Sequence, residues 1–383
     1  MKVEELLYVS CLCSREMERK LVCLDANHYG FQVQKYHRLL AKGFHLNSVS
    51  VKTISHPKNI ETLKPEECCD EEEEGIHYSY VIKGKGGYPR LLCKVFLITR
   101  EYLRQHRSAI IVCDVLNFTV SFGAALAAKT LNRKVIGVIT DYPEQLSGKV
   151  DWNSRLIWIL VSLCTGYVVL TEQMKERLSS KKPAIVLEGH VDSKMLQSEN
   201  TLDGKYKKKV CLYAGALQKK YGVEKLVKAF LAADDSNAEL HLYGDGDYVD
   251  ELKKQEYNSV KYLGVAPNDE IIAEELKATI LLNPRPSDAE FTKYSFPSKN
   301  MEYMASGTPL LTTKLPGMPK EYLEYVYLFD DESTEGMSRT LREVLLKPRK
   351  ELHQKGRAAK KFILENKTEI IQARKILDFV LSC

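Results

Sequence analysis

The chain has 383 residues, 44% hydrophobic, 28% charged and 9% aromatic, a globular composition that excludes disordered and collagen-like classes. That length exceeds one compact core of usual size and predicts two domains. The net charge of +5 is too mild to point to nucleic acid, and the longest clean apolar run, LIWILVSLC (156–164), is less than half the ~20 residues of a membrane-spanning helix.

The opening MKVEELLYVSCLC carries acidic residues where a signal peptide has basic ones, so a soluble cytoplasmic protein is expected. Short apolar runs then alternate with helical stretches. The first series is LLYVSC (6–11), SVSVKTIS (48–55), AIIVCDVL (109–116), KVIGVIT (134–140), GYVVLT (166–171) and PAIVLEG (183–189). Within it, CCDEEEEGI (68–76) reads as an acidic surface loop or hairpin edge. The polar stretch QSENTLDGKYKKK (197–209) ends the series. Its KYKKK reads as linker, or as a patch with Lys175, Arg177, Lys181 and Lys182 that attracts anionic lipid head groups.

The second series is KVCLYAG (209–215), AELHLYG (238–244), VKYLG (260–264), ATILLNP (278–284), TPLLTT (308–313) and VYLFDD (326–331). Runs this uniformly apolar indicate strands covered on both faces, hence parallel sheets flanked by helices. Two such series make two doubly wound α/β domains. The ten cysteines are scattered, and Cys93, Cys113, Cys164 and Cys211 lie inside apolar runs, where free cysteine behaves as a small hydrophobe. Cys11 and Cys13, and the Cys68–Cys69 pair, have no partners at metal-ligand spacing, so no metal site is expected.

In open parallel sheets ligands bind at the carboxyl ends of strands, which directs attention to Asp141, the loop from Gly215 to Tyr221, Gly244 to Gly246, Gly264 and Arg285. Gly215 allows close backbone approach, and Lys219 or Lys220 can reach a phosphate; the same loop is also an ordinary strand–loop–helix turn with surface lysines. In LYGDGD (242–247), Gly244 and Gly246 suit a tight turn, and Asp245 or Asp247 a helix cap. The segment TKYSFPSKNMEYMASGTPLL (292–311) is more specific. Pro297 fits a helix first turn and Ser298 a cap. The free N–H groups of that helix start suit a pyrophosphate, with Lys299, Lys293 and Arg285 adding charge. Glu302, one turn on, either binds the vicinal hydroxyls of a ribose or is a surface helix residue. Helical spacing leaves both readings open.

Taken together, YAGALQKKYGVEKLVKAF, LYGDGD, VKYLG, LLNPRPSD and YSFPSKNMEYMASGTPLLTT resemble the nucleotide-sugar-binding half of the family-four retaining glycosyltransferases of GT-B fold. Across the whole chain the likeness is to bacterial capsular or exopolysaccharide enzymes. In the first half FQVQKYHRLLAKGF, DVLNFTVSFGAALA, VIGVITDYPEQL and YVVLTEQMKERL resemble acceptor-domain elements.

The resemblance implies two Rossmann-like domains facing a central cleft. Residues 1–195 would bind the acceptor, residues 209–365 the donor, and helix 366–383 would cross back to the first domain. Glu302 takes the place of the second glutamate of the family's Glu-x7-Glu motif and would bind ribose; Tyr294 stands where the first would be. The family's phosphate-binding arginine and lysine positions hold Ala216 and Tyr221, which leaves Lys219, Lys220, Arg285 and Lys299 as replacements, Arg285 and Lys299 foremost. Asp141 replaces a histidine near the donor sugar. Gly215, Gly244, Gly264, Ser295, Phe296 and Ser298 complete the implied donor cradle.

The implied activity is metal-independent transfer of a sugar, with retention, from a UDP- or GDP-sugar to a saccharide or lipid-linked acceptor. No cofactor and no nucleic acid are implied, and peripheral membrane association is a possible partner interaction. A sugar-nucleotide isomerase of similar fold and a non-catalytic nucleotide-sugar scaffold are the alternatives.

Overall fold

The computed structural model describes residues 3–24, 31–144, 151–178, 182–255 and 257–382. Two compact units divide it: Met1–His190 with Thr368–Cys383, and Val191–Lys367. Among the described residues no helix is long and apolar enough to cross a membrane.

The first unit is built on eight strands: β1 (Glu5–Ser10), β2 (Ser50–Ser55), β3 (Glu71–Glu73), β4 (Ile76–Tyr78), β5 (Ile110–Asp114), β6 (Val135–Ile139), β7 (Gly166–Val169) and β8 (Ala184–Val186). Their order is β3-β4-β2-β1-β5-β6-β7-β8. All pairs are parallel except β3–β4. The acidic run 68–76 therefore forms half of an edge hairpin, whose turn carries Glu74 and Gly75 at positive φ. Charge along an edge strand disfavours pairing with another chain.

Strands β1, β5 and β6 are buried almost throughout, as parallel strands with helices on both faces must be. The C-terminal helix Glu369–Ser382 packs on helix Phe31–Leu46. Asn47 Nδ2 donates to Ile370 O at 2.8 Å, and the buried Lys42 Nζ lies 3.4 Å from Glu369 Oε1.

The second unit has six parallel strands: β9 (Lys209–Ala214), β10 (Ala238–Tyr243), β11 (Val260–Tyr262), β12 (Ile280–Asn283), β13 (Leu310–Thr313) and β14 (Tyr327–Phe329), in the order β11-β10-β9-β12-β13-β14. Leu212 and Leu281 pack with helix Ser298–Ser306 on one face, while Cys211, Leu240 and Leu282 pack with helices Val223–Ala233 and Thr334–Leu345 on the other.

KYKKK is not a free linker. Lys208 and Lys209 pair with Glu239 and Asp235 at 2.9 and 2.8 Å, and Arg349 donates to Lys207 O at 2.8 Å. Lys205 Nζ donates to Thr308 Oγ1 at 2.6 Å. Of the other lysines read with this run, Lys181 lies outside the described residues, and Lys182 Nζ donates to Ser162 O and Cys164 O, both at 2.6 Å.

Burial pulls the Lys205 ammonium from 10.5 down to about 7. Between those values the unfolded chain binds the extra proton, so this group makes stability rise with pH across that window, by at most about 1.4 kcal/mol per pH unit. Below pH 7 both states are protonated and its contribution is flat. Lys205→Met is expected to remove the slope; urea unfolding on either side of neutrality measures it.

Candidate functional site

Each sheet reverses direction at one point. In the second unit the chain runs from β9 outward to β11, then returns to β12 on the other side of β9. The crevice where ligands bind in such sheets therefore lies at the carboxyl ends of β9 and β12, which are followed by Gly215 and Arg285.

Lys299 comes to this point from the first turn of helix Ser298–Ser306. A Cβ on Gly215 would stand 2.4 Å from Lys299 Cε and 3.1 Å from its Nζ, so the lysine lies directly over the glycine. Tyr303 holds the helix there: its buried hydroxyl accepts from Ala214 N at 2.8 Å and donates to Ala214 O at 3.1 Å. Asn283, ending β12, donates through Nδ2 to Asn300 Oδ1 at 2.6 Å. The Asn300 Nδ2 donor is fully buried and has no hydrogen-bond partner among the described residues.

Arg285 is fixed by stacking. Its guanidinium lies 4.7 Å from the Tyr221 ring centroid and 5.5 Å from that of Phe291, a cation–π arrangement that orients the fork. Thr313 Oγ1 donates to the Arg285 carbonyl. Burial pushes the Tyr213 phenol up while the Arg285 charge pulls it back.

The remaining predicted residues fall as follows. Pro297 is the N-cap and Ser298 the first helical residue, with no side-chain cap bond; proline pre-sets the entry φ and the hydroxyl is not used as a cap. Phe296 is buried against Tyr322 at 4.9 Å, Ser295 Oγ donates to Phe291 O at 3.1 Å, and Tyr294 closes the short helix Glu290–Lys293. Glu302 is half-buried on the helix that carries Lys299.

Lys219 pairs with Glu251 on the exposed surface, and Lys220 lies 5.1 Å over Tyr221. Asp247 accepts from Lys219 N at 2.8 Å rather than capping a helix, and Asp245 accepts from Gly246 N at 2.9 Å. Gly244 and Gly264 both have positive φ, and Gly244 N donates to Gly264 O at 2.8 Å.

In the first unit the reversal lies between β1 and β5. Asp114 ends β5 there, buried, with Oδ1 accepting from Leu116 N at 2.9 Å and Oδ2 3.4 Å from His37 Nε2. His37 Nδ1 is 2.7 Å from the Tyr8 hydroxyl. The two nitrogens of the His37 ring thus face the Tyr8 hydroxyl on one side and the Asp114 carboxylate on the other. Asp141 follows β6, half-buried. Sequence reading passed over Asp114, Tyr303 and Asn300; the available signal for Asp114 was a carboxylate ending an otherwise apolar strand.

Residues 198–362 match the family described as glycosyl transferases group 1. No curated protein matches the chain by sequence. Among solved structures it is similar to the sucrose-phosphate synthase of Thermosynechococcus elongatus, at 13% identity over 99% of both chains with a TM-score of 0.68. It is similar also to Anabaena HepE in complex with UDP and glucose, at 17% identity over 100% of both with a TM-score of 0.65. The lipopolysaccharide outer core galactosyltransferase WaaB shares 13% identity over 99% of both, with a TM-score of 0.64. The chain therefore has the GT-B fold, and its second unit carries the segment that matches the group 1 glycosyl transferases.

Proposed function

We propose that this protein is a retaining, metal-independent glycosyltransferase that takes its sugar from a nucleotide-sugar donor bound at the carboxyl ends of β9 and β12. The observation that carries the reading is Lys299 poised over Gly215 at the sheet's reversal, within the segment matching the group 1 family. A departing pyrophosphate needs fixed positive charge, and preorganised donors aimed at developing charge supply the largest catalytic term in such reactions. Lys299 and Arg285 provide two cations. The first turn of the helix and the unpartnered Asn300 Nδ2 add donors. Tyr221 stands where the resembled family has a lysine, and here it stacks under Arg285; we read this as relocation of the charge rather than its loss.

Glu302, on the same helix, is assigned to the ribose hydroxyls. The first unit is assigned the acceptor, a saccharide or lipid-linked saccharide of the kind used in capsule, exopolysaccharide or other cell-surface glycans, with Asp141 orienting the acceptor hydroxyl or the donor sugar. In the reaction the bond from sugar C1 to the phosphate oxygen breaks and the acceptor oxygen bonds C1 on the same face. The departing phosphate oxygen takes the acceptor proton. The protein's part is positioning and electrostatic stabilisation.

The test is transfer in the presence of EDTA from UDP- and GDP-sugars to a panel of saccharide and lipid-linked acceptors, followed by nucleoside diphosphate release and by NMR of the product's anomeric proton. UDP-sugars come first because the similar Anabaena protein was solved with UDP and glucose. Release of nucleoside diphosphate, with the donor's anomeric configuration in the product, is expected. Inversion, or abolition by EDTA, contradicts the retaining or the metal-independent part. A rearranged sugar formed from donor alone indicates an isomerase.

A further inference from the structure

The crossovers β4→β5, β5→β6 and β6→β7 progress in one direction along the first sheet, so right-handed connections lay helices Gly87–Gln105, Phe118–Thr130 and Trp152–Leu163 on one face. The middle helix packs against both neighbours. Two properties of this layer do not fit a surface that meets only water.

The first is charge. The three helices contain six basic residues and a single acidic one, Glu101. Arg90, Lys94, Arg104, Lys129 and Arg155 are exposed, and none has an ion-pair partner among the described residues. The opposite layer behaves differently: there Arg38 pairs with Glu18 at 2.7 Å, Lys20 with Glu16 at 3.0 Å and Lys42 with Glu369 at 3.4 Å. The second is apolar exposure set among those cations. Trp152 is 70% exposed, Leu97 62%, Tyr88 56% and Ile159 50%. On helix Gly87–Gln105, Leu97 shares the outward face with Arg90, Lys94 and Arg104, opposite the buried Leu91, Val95, Thr99 and Leu103.

We propose that this helical layer of the first unit is a docking surface for an anionic lipid bilayer. Basic side chains reach phosphate head groups while aromatic and aliphatic residues between them enter the head-group boundary, the combination that holds a helix in the plane of an interface. A second copy of the chain is disfavoured, because face-to-face pairing sets the unpaired cations of one layer against those of the other. A nucleic-acid backbone would answer the charge but leave Trp152, Leu97 and Ile159 in water. The surface belongs to the first unit alone and does not depend on the donor site.

The full chain is sedimented with vesicles of phosphatidylcholine alone and of phosphatidylcholine with about one third phosphatidylglycerol, the anionic component whose attraction amounts to roughly fivefold in partition per cation. Binding to the second vesicle and not the first is expected. It should be released by high salt and weakened more than about a hundredfold in Arg90→Glu/Lys94→Glu/Arg104→Glu. The chain has two tryptophans, and Trp158 is partly buried with its Nε1–H donated to Glu144 at 2.6 Å. A blue shift of emission on vesicle binding should therefore disappear in Trp152→Phe. All substituted positions are exposed, and circular dichroism checks that each variant folds. No binding to either vesicle, equal binding to both, or a triple variant that binds like wild type overturns the proposal. A concentration-dependent dimer broken by the triple substitution would assign the face to a second copy and overturns it equally.

Discussion

Lys299→Ala is expected to lower kcat/KM for the donor by about 10²- to 10³-fold, the loss typical when one preorganised donor to a developing charge is removed. Lys299 is held over Gly215 by a helix that Tyr303 and Asn300 fasten to β9 and β12, so its ammonium is fixed before the substrate arrives. Lys219 provides the contrast. It lies in the loop that sequence alone also offered for phosphate, but its ammonium pairs with Glu251 at the exposed surface, where ion pairs are weak and mobile. Lys219→Ala is therefore expected to change kcat/KM by less than about threefold. Steady-state kinetics of the two variants side by side checks the assignment; equal effects would remove Lys299 from its role.

Gly244→Ala is expected to destabilise the second unit by about 4 kcal/mol, among the larger values single substitutions reach. Gly244 has φ +129°, a conformation that side chains rarely adopt, and a Cβ there would fall 1.8 Å from the Gly215 carbonyl oxygen. The obstacle is backbone, so no rotamer change relieves it. Two strand ends are involved, since Gly215 N donates to Tyr243 O and Gly244 N to Gly264 O, each at 2.8 Å. Relaxation would have to move β9 or β10 where Lys299 is seated, so loss of donor binding should accompany loss of stability. Chemical denaturation reads the first and nucleotide binding the second. Gly264→Ala tests the reasoning: it also has positive φ but open space around the added methyl, and should cost only the conformational part, about 1–2 kcal/mol.

The fold was legible because its signal is local. Each of the twelve apolar runs became a strand, since a strand buried on both faces has little choice but to be apolar throughout. Only the three-residue strands β3 and β4 lay outside those runs: β3 is all glutamate, which is tolerable at the sheet edge it forms, and β4, inside it, is too short to stand out as a run. The site was legible in its parts but not in its assembly. That Gly215 and Arg285 follow strands could be read from the runs; that β9 and β12 are neighbours, bringing Lys299 onto Gly215, depends on sheet order, which a single sequence does not display.

The Tyr303 and Asn300 contacts were hidden for a related reason. Both lie within an apolar helix pattern, where a phenol or amide reads as ordinary packing until its partner is known. The placing of Asp247 on Lys219 N, rather than on the next helix, shows the same thing: an aspartate after glycine has several backbone N–H groups within reach, and tertiary structure decides between them.

The most direct test of the donor site is a thermal-shift panel of UDP-, GDP-, ADP-, CMP- and dTDP-sugars on the wild type and on Glu302→Ala. A ligand at 100 times its Kd stabilises by about 2.7 kcal/mol. One nucleotide class should raise the melting temperature of the wild type, with the shift lost in the variant. If no nucleotide sugar stabilises the wild type, or if Glu302→Ala responds as the wild type does, the helix beginning at Ser298 is not the cradle of a ribose and pyrophosphate.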